Sequence, residues 1–76
     1  MVKVYSMTTC PWCVKAKKYL ESKGVAYESL NIDTDEEARK ACLALSGDLM
    51  APVITADDKN FVLGFDKAKI DALLGL

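Results

Sequence analysis

Cysteines at positions 10 and 13 flank Pro11 and Trp12, and this segment carries the clearest chemistry in the chain. A thiol pair with this spacing can pass between a dithiol and a disulfide, releasing or taking up two electrons. The segment follows an apolar stretch, residues 2–6, and precedes a lysine-rich amphipathic stretch. A Cys-x-x-Cys pair at such a strand-to-helix junction is typical of thiol–disulfide exchange. We therefore predict that Cys10 and Cys13 form a redox-active pair.

The two sulfurs are expected to have different roles. Cys10 falls just before the predicted first helix, where unpaired N–H groups and the positive end of the helix dipole stabilise a thiolate. Thiols in such motifs have pKa values of about 3.5–7.5. Cys13 lies further into the helix and is expected to be shielded and protonated. We predict that Cys10 attacks a substrate disulfide and that Cys13 then resolves the mixed disulfide by attacking Cys10.

Charge is unevenly distributed along the chain, although the net charge of the 76 residues is only −1. Residues 1–24 carry five lysines and one glutamate, whereas residues 25–48 carry six acidic and two basic side chains. One interpretation is a solvated lysine face on the first helix. The other is that cations such as Lys15 favour the thiolate and attract anionic substrates. The near-neutral net charge of the whole chain argues against a nucleic-acid-binding protein.

Composition limits the metal and membrane alternatives. Three cysteines and no histidine cannot supply the four ligands of a structural zinc site, so no metal site is predicted within one chain. A zinc or iron–sulfur site shared between two chains stays open as an alternative. No apolar run approaches the roughly 18 residues of a membrane span. The first six residues lack a secretory signal, so we expect a cytoplasmic, monomeric protein.

Strand and helix signals alternate along the chain and predict one α/β domain over residues 1–76, in the order β-α-β-α-β-β-α. The strands are expected at residues 2–6, 25–32, 52–55 and 61–63, with a polar turn at residues 57–60. The first helix should begin at Pro11 and end at Gly24. The second should be capped by Thr34 with Glu37 and end at Gly47, and Asp66 should cap the third. This order predicts a four-stranded mixed sheet flanked by three helices, with the site at the carboxyl end of the first strand.

Three further residues have two interpretations each. Trp12 is expected to be partly exposed, either as incidental packing or as one wall of a substrate groove. Cys42 shares the apolar face of the second helix with Ala38, Ala41 and Leu45, so it is either a buried small hydrophobe or a regulatory thiol. Pro52 either simply begins a strand or follows a cis peptide bond.

The sequence resembles the glutaredoxins, and among them the short bacterial glutaredoxin-like proteins. Residues 4–17 resemble the opening strand, active site and first helix of that family, and the likeness covers nearly the whole chain. The resemblance implies the thioredoxin fold and dithiol exchange with glutathione or protein disulfides. It implies that Cys10 is the nucleophile and Cys13 the resolving thiol, and that Lys15 is a basic residue of the active site. Glutathione would be a co-substrate, with no tightly bound cofactor.

The resemblance also implies a glutathione site. The Thr-Val-Pro motif of the family corresponds to Met50, Ala51 and Pro52, with a cis bond before the proline and the Ala51 backbone pairing with the cysteinyl part of glutathione. The Gly-Gly-x-Asp-Asp segment corresponds to residues 63–67. The glutathione contacts are therefore expected at Trp12, Lys15, Met50, Ala51, Pro52, Gly64, Phe65 and Asp66.

Three positions depart from the family pattern. Met7 and Leu49 stand where many glutaredoxins carry basic residues that contact the glycyl carboxylate, and Lys67 replaces an acid near the γ-glutamyl amine. Each lost charge-assisted hydrogen bond would be worth about 1.5–3 kcal/mol. Gly64-Phe65 also resembles the hydrogen-donor redoxins, which a flavoprotein thioredoxin reductase reduces. A dimer bridging an iron–sulfur cluster through Cys10 is a third alternative, and Cys13 argues against it.

Overall fold

The computed structural model describes residues 2–57 and 59–76, so Asp58 of the predicted polar turn lies outside the described residues. The elements, in chain order, are β1 (Val2–Ser6), α1 (Pro11–Ser22), β2 (Tyr27–Asn31), α2 (Glu36–Ser46), β3 (Val53–Thr55), β4 (Phe61–Leu63) and α3 (Lys67–Leu74). This order confirms the predicted β-α-β-α-β-β-α arrangement.

One mixed sheet positions the site. Its strand order is β2-β1-β3-β4; β1 runs parallel to β2, and β3 runs antiparallel to both β1 and β4. The register pairs Tyr5 with Leu30 and with Val53, so β1 lies centrally and both of its edges are paired. The loop that leaves β1 after Ser6 leads directly to the cysteine pair, at the end of the sheet that the sequence predicts.

The core is divided between the two faces of the sheet because neighbouring strand residues point to opposite sides. On one face Val4 and Ile54 pack with side chains of α1 and α3, among them Leu20 and Ile70. On the other face Tyr5, Ile32 and Val53 pack with Ala38 and Cys42 of α2. Helices therefore cover both faces of the central strands.

The cap of α2 is one point at which the sequence prediction is wrong. Asp35, and not Thr34, is the N-cap residue, and its carboxylate accepts the N–H groups of Glu37 at 3.0 Å and Ala38 at 3.2 Å. A carboxylate at the positive end of a helix gains dipole stabilisation that a hydroxyl does not. The helix consequently begins one residue later than the Thr34 cap implies.

Smaller differences concern the ends of the elements. Helix α1 ends at Ser22 with Lys23 at the cap position, and Gly24 follows with a left-handed φ of +70°. Strand β2 is shorter than the predicted residues 25–32. Ala41 is exposed although its spacing placed it on the apolar face of α2. Within the described residues, no helix is both long and apolar enough to cross a membrane.

Candidate active site

The two cysteines occupy different positions at the start of α1. Cys10 is the N-cap residue, with extended backbone angles of φ −145° and ψ 94°, and Pro11 takes the first helical turn, where its missing N–H costs nothing. The N–H of Cys13 donates to Sγ of Cys10 at 3.2 Å. Cys10 and Cys13 are joined by a disulfide, with their Cα atoms 5.3 Å apart. The sulfur of Cys10 therefore lies where backbone N–H groups and the helix dipole favour an anion.

The two cysteines also differ in how far they are buried. Cys13 is 1% exposed and packs under the first turn of α1, whereas Cys10 is only partly buried. A substrate sulfur can approach Cys10 from solvent, while Cys13 is reached only from within the protein. This geometry matches a nucleophile at Cys10 and a resolving thiol at Cys13.

The loop between β1 and the disulfide is tied to the neighbouring strand. The backbone N–H of Thr8 donates to Asp33 at 2.8 Å, and the side-chain amide of Asn31 donates to the Thr8 hydroxyl at 3.3 Å. These contacts join the loop to the end of β2, so they restrict the position from which Cys10 enters the helix. The sequence offered no signal for this pairing, since Thr8 and Asp33 are distant along the chain.

A groove lies beside the disulfide and brings together five of the predicted site residues. We call it the active-site groove; it has a volume of about 240 Å³ and is lined by Trp12, Ala51, Pro52, Gly64 and Phe65. The Ala51-Pro52 peptide bond is cis, so the second interpretation of Pro52 is the one observed. The N–H of Gly64 donates to the Pro52 carbonyl at 2.8 Å, which joins the two loops that form the floor. Gly64 has φ +82°, a conformation that favours glycine.

The walls of the groove are aromatic. Trp12 is 56% exposed, and its ring centroid lies 6.4 Å from that of Phe65. Ala51 lines the groove just before β3, whose pairing with β1 begins at Val53. The groove is therefore a largely apolar cleft beside Trp12, the residue next to Cys10 in the chain.

The other three predicted contacts lie around the groove and do not line it. Lys15 places its ammonium group 4.4 Å from the centroid of the Trp12 ring. Met50 is 43% exposed, and its carbonyl accepts the thiol of Cys42 at 3.7 Å. Asp66 is the N-cap of α3, where its carboxylate accepts the N–H of Lys69 at 3.2 Å.

Cys42 is fully buried, as one of its two interpretations predicts. Its thiol packs beneath the segment that leads to the cis peptide bond, with Met50 as one acceptor and the carbonyl of Asp48 at 4.0 Å as a second. It therefore fills the core of α2 and holds this segment in place. In the described part of the chain, no group of three or more cysteine, aspartate or glutamate side chains is arranged to hold a metal ion.

Sequence reasoning missed Tyr19. Its ring meets that of Phe65 edge-on at 6.1 Å, so Trp12, Phe65 and Tyr19 form a continuous line that we call the aromatic row. The Tyr19 hydroxyl donates to Asp71, which joins α1 to α3. This bond, with burial and the charge of Asp71, raises the pKa of Tyr19 above its usual 10.0. Its contacts with Phe65 and Asp71 join residues far apart in the sequence, so no local signal indicated them.

Comparison with known proteins shows the family to which the chain belongs. A glutaredoxin family model matches residues 2–62. The uncharacterized glutaredoxin-like 8.6 kDa protein in the rubredoxin operon of Clostridium pasteurianum is 43% identical over 74 residues, which cover 97% of this chain and 97% of that protein. Glutaredoxin 3 of Escherichia coli K12 is 36% identical over 75 residues, covering 99% of this chain and 90% of its own length.

Solved structures share the fold. A thioredoxin-like protein superposes with a TM-score of 0.86 at 32% identity, covering 96% of this chain and 99% of that one. NrdH-redoxin of Escherichia coli, a glutaredoxin-like protein with a thioredoxin-like activity profile, superposes with a TM-score of 0.80 at 30% identity. The match covers 95% of this chain and 92% of that one. The sheet and helices are therefore those of the thioredoxin fold. The chain belongs to the glutaredoxin family and is a thiol–disulfide oxidoreductase of that family, with Cys10 and Cys13 as its dithiol pair.

Proposed function

We propose that this protein reduces protein disulfides and glutathione mixed disulfides, with glutathione as its reductant. The observation that carries the proposal is the active-site groove, because Trp12, the residue next to Cys10, and the cis Ala51-Pro52 segment line it together. A glutathione cysteinyl group can lie there with its backbone alongside Ala51. The start of α3, two residues beyond Phe65, supplies N–H groups for a carboxylate at the γ-glutamyl end. We further propose that it acts as a monomer in the cytoplasm, where thiols are kept reduced.

The reaction on a mixed disulfide needs Cys10 alone. The Cys10 thiolate attacks the glutathione sulfur, the protein thiolate leaves, and a Cys10–glutathione disulfide forms. The thiolate of a second glutathione attacks the sulfur of the bound one. Oxidised glutathione leaves, and the electron pair returns to Cys10 as thiolate.

The reaction on a protein disulfide uses both cysteines. Cys10 attacks one substrate sulfur and forms a mixed disulfide while the other substrate sulfur leaves as thiolate. Cys13 then loses its proton and attacks Cys10, which forms the Cys10–Cys13 disulfide and releases the second substrate thiolate. Two glutathione molecules restore the dithiol and leave as oxidised glutathione. The Cα atoms of Cys10 and Cys13 lie 5.3 Å apart, a separation at which a disulfide can form.

A flavoprotein reductase is a second candidate electron donor, supported by the surface around the groove. Trp12, Leu49, Met50 and Leu63 are all at least 40% exposed, and this apolar rim suits a protein partner. Met7 and Leu49 also supply no cation for the glycyl carboxylate. The similarity to NrdH-redoxin, with its thioredoxin-like activity profile, supports the same candidate.

The deciding experiment measures how fast each donor reduces the oxidised protein. One arm contains glutathione, glutathione reductase and NADPH, and the other contains NADPH and thioredoxin reductase. The proposal expects fast reduction by glutathione, and reduction by the flavoprotein alone would overturn it. Met7→Lys restores the missing cation and should accelerate the glutathione arm by about tenfold, the value of one charged hydrogen bond. Met7→Gln is the matched neutral control.

A further inference from the structure

A second cleft adjoins the active-site groove on the side of α1 and α3. We call it the lysine cleft; its volume is about 290 Å³, and it is lined by Lys15, Lys18, Tyr19, Phe65 and Lys67. Phe65 also lines the active-site groove, so the two depressions share a wall. The aromatic row runs from Trp12 beside the disulfide to Tyr19 within the lysine cleft. A chain segment bound at Cys10 can therefore continue over Phe65 into this cleft.

The cations of the cleft are available to a ligand. Within residues 2–57 and 59–76, no carboxylate forms an ion pair within 4.0 Å with Lys15, Lys18 or Lys67, whereas Lys40 on α2 does pair with Glu36 at 3.6 Å. Two of the three ammonium groups are held over aromatic rings, Lys15 over Trp12 at 4.4 Å and Lys67 over Tyr19 at 5.6 Å. A cation over a ring face keeps its charge and its remaining donors for another partner.

The positions of these lysines are unfavourable for folding alone. Lys15 and Lys18 are three residues apart and lie on the same side of α1, so their charges repel each other. Lys67 is the first residue of α3, and the first turn of that helix contains no acidic residue. An acid is favoured there and a cation is disfavoured by the helix dipole. The acidic cap Asp66 and the two ring contacts offset part of this cost, and the remaining departure from the local rules is typical of a binding surface.

Acidic groups near the cleft are already engaged. Asp71 accepts the Tyr19 hydroxyl, and Asp66 accepts the N–H of Lys69 as the cap of α3. Neither reaches the three ammonium groups within ion-pair distance. The cleft therefore presents three lysines above an aromatic floor, and a carboxylate-bearing side chain is the complementary ligand.

We propose that the lysine cleft selects protein disulfides whose reactive cysteine is followed or preceded by an acidic segment. The inference rests on the proposed reduction of protein disulfides and adds the substrate class. The cysteine of the substrate lies at Cys10, its neighbouring residues cross Phe65, and one or more carboxylates contact the lysines of the cleft. The effect is on capture of the substrate, so the exchange chemistry at Cys10 and Cys13 is unchanged.

The test uses fluorescent peptide disulfides of one sequence, with glutamates on one side of the cysteine, and their glutamine counterparts. Separate peptides carry the glutamates before and after the cysteine. The prereduced protein is mixed with each peptide, and the second-order rate constant is measured without any electron donor. We expect the acidic peptide of one orientation to react roughly tenfold faster than its neutral counterpart at low ionic strength. Added salt should reduce that ratio towards one.

Charge-reversal variants locate the effect. Lys18→Glu and Lys67→Glu should each reduce the acidic-to-neutral ratio by about 2- to 5-fold, the usual value of an exposed ion pair. Lys40→Glu is the matched control: it changes the net charge by the same amount, but on α2, and it should leave the ratio unchanged. If Lys40→Glu reduced the acidic-to-neutral ratio equally, the preference would come from overall charge and the proposal would be overturned. Equal rates for acidic and neutral peptides would overturn it as well. A failure of the proposed reduction of protein disulfides is distinguishable, because the neutral peptide would then not be reduced either. The identity of the electron donor does not affect this assay, which contains none.

Discussion

At the scale of single residues, the two cysteines of the pair have different surroundings. Cys10 is partly exposed at the N-cap of α1 and accepts the N–H of Cys13. Cys13 is buried beneath the same turn. We expect this difference in burial and position at the helix start to set the order of attack, with Cys10 first. Cys42 lies in the core of α2 and has no place in this sequence of steps.

Serine variants of the three cysteines separate the attacking and resolving roles. Cys10→Ser should abolish reduction of every disulfide substrate because the attacking thiolate is lost. Cys13→Ser should still reduce glutathione mixed disulfides but lose turnover on protein disulfides, since only the second reaction needs a resolving thiol. Both rates are measured from NADPH consumption with glutathione and its reductase. Cys42→Ser is the control, with exchange rates close to the unsubstituted protein; equal loss of both activities in Cys13→Ser would contradict the one-thiol route.

At the scale of elements, the caps and turns fix where the helices and strands begin. Asp35 and Asp66 each use a carboxylate to accept N–H groups at the start of a helix. Asp57 does the same in the turn between β3 and β4, where it accepts the N–H groups of Lys59 and Asn60. Each of these aspartates therefore fixes the start of a helix or the turn between β3 and β4.

The α2 cap can be tested by a matched pair of alanine substitutions. Asp35→Ala should lower the free energy of unfolding by about 1 kcal/mol, because two N–H groups lose their acceptor and the dipole loses a counter-charge. Thr34→Ala removes the residue that sequence spacing favoured as cap and should change stability by less than about 0.5 kcal/mol. Urea unfolding followed by circular dichroism measures both. A larger loss of unfolding free energy in Thr34→Ala than in Asp35→Ala would show that Thr34 is the cap.

The turn aspartate predicts a pH dependence. Hydrogen bonds from the N–H groups of Asn60 and Lys59, and then from the Asn60 side chain, hold the pKa of Asp57 below its ordinary 3.8. A lowered pKa in the folded state adds stability above the unfolded value, and that stability is lost as the pH falls through the folded value. The unsubstituted protein should therefore be more stable than Asp57→Asn near neutral pH, and the difference should shrink below about pH 4. Urea midpoints across this range measure it, and a constant difference would exclude the ionised carboxylate as its source.

Sequence patterns predicted the elements more fully than the contacts between them. Local signals such as Pro11 at a helix start and Asp66 as a cap act within a few residues, so they could be recognised in the sequence. The Asp35 cap was missed because threonine and aspartate stand side by side and both can cap a helix. The contact of Trp12 with Phe65 joins residues far apart along the chain, and only the packing of α1 against α3 brings them together. The groove was therefore predicted through family resemblance, and the lysine cleft was not predicted at all.

At the scale of the whole molecule, the central strands β1 and β3 connect two hydrophobic clusters. Ile54 is fully buried and belongs to the cluster that α1 and α3 cover, whereas its neighbour Val53 belongs to the cluster under α2. Cys13 and the start of α3 are both held against this sheet, so the site depends on a core formed by few residues. A chain of this size buries only about 60–65% of its unfolded surface, so its stability margin is small.

Core substitutions at Ile54 measure that margin. Ile54→Ala should lower the free energy of unfolding by about 2–5 kcal/mol, because it removes buried methyl groups and leaves a cavity between β3 and the two helices. Ile54→Val should cost about 0.5–1.5 kcal/mol. Leu63→Ala, at a position 43% exposed on β4, should cost less than either. Urea unfolding of the oxidised protein gives the three values.

A small domain has a total stability near the lower end of about 5–15 kcal/mol, so Ile54→Ala should also lose disulfide-reducing activity on mild heating, in step with its unfolded fraction. Activity that fell while the protein stayed folded would instead place Ile54 in direct contact with the site, contrary to its position in the core.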